Sequence, residues 1–540
     1  MELACSVIRC VRKMTEERPL LFVRRASGLT RAIPYWTAIY FGIATSAFMP
    51  WHYYLITIVP NWFPGTNLPL IYFLGGLVVT FECLAMALVY VACPRSGSIY
   101  VPLSRATSPM LGLLEAWRSI ITNPTQRGVT AFLAAGQMAS LIVITGQLSK
   151  DPGLMAAGQA MAANVWLLVA IGFVFQLIGV SIDILGPRIM ARWYAFWGTG
   201  VVFGILLVNV LYASTPPAAL PGKWDTVFGA GAYNEVVSLA TANGFTAVPW
   251  SWGAVAGSLT IPVVNTWPYV IAPVVGEVEK PRQSIPFSMV GSAIFVMIIN
   301  SMSAYNFTNT YGSFAQMYNF CIGDPKISAQ FKINTVMPTD LSAYSAVLTN
   351  IPAVAGLAAF SPQWSNFADM VGNCYYTSRP LFAIAMDRMG PELLAKVHPR
   401  FHSPYMGSLF WFFWSLITLF LAGWDAGTIA AVVYGITFVY GVARMMNHWS
   451  EVELPYSRPE IYKGGIRLEI GGWPVMSIIG AFMTGMFFYL LATLPANPVS
   501  SGLLIGGVYG WGALTYIYYG RKNQARAILP SQIFGQLPPE

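Results

Sequence analysis

Four charged side chains stand inside long apolar stretches of this sequence: Glu82, Arg118, Arg127 and Asp369. An ionisable group in such a stretch is costly, so it faces a partner, water or a ligand, and it is a functional candidate by default. Ser365, Asp369 and Asn373 recur at four-residue spacing, with Asn366 beside them. That spacing lays one polar stripe along a helix. Such a stripe suits a proton acceptor, a cation ligand or an anchor for an amine, with an ion pair to Arg127 or Arg118 as the structural alternative. The only cofactor-like species it implies is a coupling ion, H+ or Na+. Catalysis has no comparable footing. The histidines at 52, 398, 402 and 448 fall at helix ends or in loops, and neither H-E-x-x-H nor G-x-S-x-G occurs. No C-x-x-C metal pattern occurs either. No catalytic residue and no metal ligand is therefore assigned.

The elements that must hold these groups are apolar and long. The 540 residues are 56% hydrophobic and only 10% charged, with 18 Trp suited to interfacial belts. About twelve runs approach the ~20 residues that cross a bilayer: 34–57, 68–92, 110–148, 162–182, 189–213, 251–278, 286–309, 343–378, 405–422, 426–446, 473–494 and 500–519. These predict an all-α membrane protein. The over-long third and eighth runs predict tilt or extension beyond the bilayer. Basic residues test the map. Alternate loops carry nearly all of them, and the others hold only Lys150, Lys223, Lys326 and Lys332. By the positive-inside rule the basic side is cytoplasmic, with both termini on it. The net charge of +8 is thus read as orientation in a cell membrane rather than nucleic-acid binding. The long polar connections near 214–250 and 310–342 are expected outside.

Runs one and six are interrupted, by Pro34, Gly42 and Pro50 in the first and by Pro262, Pro268 and Pro273 in the sixth. Interrupted helices at corresponding places in two halves are the best sequence pointer to a transporter's binding site.

Three segments on the basic side are more specific: PRSGSIYVPLSRATSPMLGLLEAW at 94–117, GEVEKPRQSIP at 276–286 and SRPLFAIAMDRMGPELLAKVHPRFHSP at 378–404. Their patterns and order resemble the amino acid–polyamine–organocation family of transporters, from about residue 27 to 520. The resemblance implies a five-plus-five inverted repeat with two extra helices. It divides the chain into a cytoplasmic segment 1–33, a first repeat 34–213, an outer loop 214–250, a second repeat 251–446, a cytoplasmic loop 447–472, two further helices in 473–519 and a tail 520–540. It also implies a carrier of amino acids or related amines working by alternating access. The substrate would lie where helices one and six break, against unpaired backbone N–H groups. In this chain that is Gly42, Ile43, Ala44, Thr45, Ser46 and Ala47 on one side, and Asn265, Thr266, Trp267 and Tyr269 on the other. Glu277, Arg282, Arg379 and Asp387 are expected either as ion pairs at the inner mouth or as ordinary helix caps and topology charge.

The chain departs from the family pattern in three places. The second glycine of the helix-one motif is missing, Pro268 stands where the family has an aromatic, and RSIITNPTQRG at 118–128 replaces an apolar stretch. A Lys used for proton coupling by some members is absent from run five. Rival readings are a carrier of polyamines or nucleobases, a channel or transport-dead sensor on the same fold, and an intramembrane enzyme. The pattern leaves the oligomeric state open.

Overall fold

The computed structural model describes residues 27–46, 50–333, 337–493 and 498–538. Over these the protein is α-helical apart from one small hairpin, Glu469–Ile470 paired with Trp473–Pro474. The first apolar run is helical on both sides of residues 47–49, in α1 (Tyr35–Ser46) and α2 (Pro50–Trp62). Then come α3 (Leu68–Ala92), α4 (Pro109–Ser149), α5 (Val165–Ile184) and α6 (Pro187–Ala213). The sixth run is not one helix. It consists of the short helix Trp252–Ser258, α7 (Thr260–Asn265), an extended residue at Thr266 and a 3-10 segment Ala272–Glu277. After α8 (Pro281–Tyr311), the eighth run is also divided, into Leu341–Ala346, α9 (Pro352–Asp369) and α10 (Gly372–Met386). The chain closes with α11 (Tyr405–Trp424), α12 (Ala426–Ser457), α13 (Val475–Thr493) and α14 (Pro498–Gln524). Among the described residues, 7 helices are long and apolar enough to cross a membrane: α3 to α6, α8, α11 and most of α13.

Local chemistry sets these ends. Proline opens α4, α6, α8 and α9 at or next to the first helical position, where its missing N–H costs nothing. Asn67 and Asn164 cap α3 and α5 by accepting the N–H groups of Leu70 and Leu167. Burial runs opposite to that of a water-soluble protein. On α11 the buried face carries Gly407, Ser408, Ser415 and Thr418 beside Trp411, Leu419 and Ala422, while Phe413, Ile417, Phe420, Leu421 and Trp424 are exposed. Small and polar residues thus let helices approach, and many large apolar ones are left to face lipid.

The packing centres on α8, which lies along α3 and against α1; α1 in turn packs on α6, and α6 on α9. Gly76 on α3 allows the first contact, since a Cβ there would sit 2.5 Å from Met297. A second group gathers around α4, which holds α10, α11 and α14. Both long polar connections are ordered where described. Trp224 of the helix Leu220–Phe228 is fully buried, and Tyr233 stacks on Phe314 with ring centroids 4.2 Å apart. At the other end of the bundle, the N–H groups of Ala32 and Ile33 both donate to the Glu277 carbonyl at 2.9 Å. This ties the start of α1 to the segment leaving the sixth run.

Candidate functional site

The first run meets the break in the sixth. Gly42 on α1 packs directly on the non-helical stretch of the sixth run: a Cβ there would overlap the Ser292 hydroxyl and lie 2.6 Å from the Pro268 carbonyl. Only glycine admits that approach. Ser292 itself donates to the Pro268 carbonyl at 3.3 Å. Ser365 on α9 donates to the Ala44 carbonyl in the last described turn of α1, at 2.6 Å. Ile43 and Ala44 are buried in this packing, and Thr45 bonds back to the Phe41 carbonyl. Ser46 is buried, and its hydroxyl has no partner among the described residues. Ala47 lies outside the described residues.

A cavity opens beside this junction. Thr45 lines it from α1, Trp267 and Tyr269 from the sixth run, and Asp369, Gly372 and Asn373 from the division of the eighth. Arg118, Asn123 and Gln126 of α4 and Tyr440, Arg444 and Asn447 of α12 complete the polar wall. Its empty space, with the solvent at its mouth included, is ≈ 830 Å³.

Each charge in the wall has a partner. Arg118 pairs with Glu115 one turn earlier, and its guanidinium lies 4.8 Å from the centre of the Tyr440 ring. Tyr440 donates towards Asn123 and Gln126, each at 3.0 Å. Asp369 meets Arg127 at 3.3 Å, the ion pair expected as its structural alternative. Asn373 donates to the same carboxylate. Asn366 does not reach the cavity; it bonds Gln137 and Gln363 behind it. Glu82 stands behind Arg444, paired with it.

The end of α7 is heavily capped. Arg444 donates to the Val263 carbonyl at 2.8 Å and to that of Val264 at 3.3 Å, and the Trp267 indole also donates to Val264, at 2.7 Å. His52 bonds the Asn265 carbonyl at 2.8 Å. Thr266 bonds back to the Pro262 carbonyl. The carbonyls freed by the break are thus held by this chain's own donors.

The segments after the sixth and eighth runs lock together at the far side. Arg379, with no exposed surface, donates to both oxygens of Glu277, at 2.9 and 3.0 Å, and pairs with Asp183 on α5. Asp387 pairs with Arg105 and accepts from Tyr100 at 2.7 Å. Arg282, expected beside these, is exposed and donates to the Gly464 carbonyl.

Sequence reading missed Tyr440, Arg444 and Asn447. Their spacing along α12 is a helical polar stripe like the one read in run eight.

The match to known proteins covers this whole assembly. A family model for amino acid permeases matches residues 25–514. The serine/threonine exchanger SteT of Bacillus subtilis (strain 168) is 23% identical over 461 residues, 84% of this chain and 87% of the relative. The matched region begins before α1 and ends within α14, so it contains every helix that lines the cavity, and the protein is a multi-pass membrane protein that belongs to the amino acid permease family.

Proposed function

We propose that the protein is a secondary active transporter, a symporter or exchanger that moves amino acids or related amines by alternating access through this cavity. The observation that carries the reading is that one cavity touches the non-helical stretch of the sixth span at Trp267 and Tyr269, the first span at Thr45, and the division of the eighth at Asp369 and Gly372. Interrupted helices leave backbone groups and dipole ends available inside a membrane, where a zwitterion needs them. Trp267 and Tyr269 then wall the substrate, and Asp369 offers the negative group for an amine or a coupling cation. The similar exchanger acts on serine and threonine by its name, so small neutral amino acids are the first substrates to test.

In this reading the chain spans the membrane about twelve times, with repeats at 34–213 and 251–446, a further pair of helices at 473–519 and both termini in the cytoplasm. The distribution of basic residues supports that orientation. The Arg379–Glu277–Asp183 cluster is then an inner closure that breaks when the cavity opens inward.

Counterflow in proteoliposomes tests the proposal. Labelled serine or threonine outside should accumulate transiently when the unlabelled amino acid is loaded inside. Ion conductance without counterflow would make the protein a channel. Folded protein that exchanges no amino acid or polyamine would sink the reading.

A further inference from the structure

A second polar cluster lies behind the cavity and reaches it through Arg444. Glu82 comes from α3, and Arg444, His448 and Glu451 come from one face of α12. Glu82, His448 and Glu451 are 0% exposed, and Arg444 is 4% exposed. Arg444 embraces Glu82, with Nε 2.7 Å from Oε1 and the second nitrogen on Oε2. The His448 imidazole sits between two carboxylates. Its Nδ1 is 2.9 Å from Glu451 Oε2, and its Nε2 is 3.3 Å from Glu82 Oε1, too poorly aligned for a hydrogen bond. The other oxygen of Glu451 has no hydrogen-bond partner among the described residues.

Among the described residues, no cation other than Arg444 and His448 comes within ion-pair distance of these carboxylates; on α4, Arg118 lies over Tyr440 and pairs with Glu115. On α3 the adjoining titratable groups are Cys83 and Tyr90. From the sixth run, the Tyr269 ring lies 5.4 Å from the Arg444 guanidinium. The α13 helix carries no charged residue; it lays Phe487 against the imidazole at 5.4 Å and Gly480 against Glu451.

Charge then decides the protonation. The guanidinium is always charged, and it neutralises one carboxylate. A neutral imidazole beside a second ionised carboxylate would leave a bare negative charge buried away from water, a cost of several kcal/mol. One proton shared by His448 and Glu451 removes it. The same Arg444 that holds Glu82 also caps the Val263 and Val264 carbonyls at the end of α7.

We propose that the His448–Glu451 pair is a proton-binding site of the transport cycle, linked through Glu82 and Arg444 to the broken end of the sixth span. One proton enters from one aqueous side, rests on the pair and leaves to the other side. When it leaves, the cluster holds an excess negative charge. That charge competes with the α7 carbonyls for Arg444, loosens the cap and alters the wall of the cavity. The proposal rests on the transporter reading above.

The test uses the full chain in proteoliposomes, with labelled serine and threonine as probes. Two transport modes are compared: counterflow with no ion gradient, and net uptake under an imposed proton gradient. In the wild type, the gradient should drive accumulation above equilibrium. His448→Gln and Glu451→Gln should each lose this accumulation and keep counterflow, which also certifies the fold. Wild-type protein that exchanges but ignores the gradient overturns the proposal alone. So does either variant that accumulates like the wild type. Loss of counterflow in both variants would make the cluster structural and overturn it too. Wild-type protein that exchanges neither probe, nor any other amino acid or polyamine, would remove the transporter reading and this proposal with it.

Discussion

Arg127 and Asp369 join the middle of α4 to the point where α9 gives way to α10, with Nη1 and Oδ2 3.3 Å apart. The arginine side chain is 2% exposed, yet its Nε and second terminal nitrogen have no partner among the described residues. One long contact is therefore all that neutralises this guanidinium, and the carboxylate divides itself between Arg127 and Asn373.

Removing the carboxylate charge should strand the arginine. Asp369→Asn is expected to lower stability by ~3–5 kcal/mol, the usual cost of breaking a buried pair from one side. Arg127→Gln in the same chain should recover part of that loss. Thermal unfolding of the single and double variants reads both effects, and counterflow of each folded variant reads substrate binding. An unchanged melting temperature in Asp369→Asn would sink the ion-pair account and leave Asp369 to the substrate or the coupling ion.

What the sequence made legible follows from where the causes lie. The interruption of the sixth run is local: Pro268 removes an N–H, and the chain leaves the helix at Asn265 with Thr266 already extended. The division of the eighth run is less local. Met370 and Val371 keep the stretch apolar, so it reads as one over-long helix. Gly372 marks the division only through contacts made in three dimensions, because a Cβ there would lie 2.6 Å from Asp369 Oδ1 and 2.9 Å from the Tyr194 hydroxyl. The partner of Glu82 had no local signal at all. Arg444 reads as an inner-loop cation by the charge count, and its carboxylate is 362 positions away in the chain. Residue spacing reveals a polar stripe on one helix, but the partner opposite that stripe depends on the packing.

Gly42 sets the distance between the first and sixth spans. Gly42→Ala should force Ser292 aside and push the Pro268 carbonyl away, at about 1–3 kcal/mol for an overpacked core position. Counterflow should fall further than the melting temperature suggests, because the wall of the cavity moves. Wild-type stability and exchange in this variant would show that the junction tolerates a methyl group.

Topology can be read without knowing the substrate. Ser238 is exposed on the helix Ala232–Ala242, and Lys396 is exposed after α10. In a background lacking native reactive thiols, Ser238→Cys should react with an impermeant maleimide on intact cells. Lys396→Cys should react only after permeabilisation. The reverse pattern would invert the orientation drawn from the basic residues.

Trp267 carries two separable jobs. Its indole N–H caps the Val264 carbonyl at 2.7 Å, and its ring, half-buried on the cavity, lies 5.6 Å from that of Tyr440. Trp267→Phe removes the cap and keeps an aromatic wall. Trp267→Ala removes both. A fully buried Trp→Ala change costs about 3–5 kcal/mol, so this half-buried one should cost less and leave folded protein to assay. A ring that encloses substrate predicts that the alanine variant loses most of its counterflow while its folded yield falls modestly, and that the phenylalanine variant keeps much of both. A ring that only packs predicts a different pattern, in which exchange and folded yield fall together by the same factor in each variant. Tyr269→Ala sharpens the distinction. That side chain also lines the cavity and lies beneath Arg444, so its loss should depress exchange without uncapping α7.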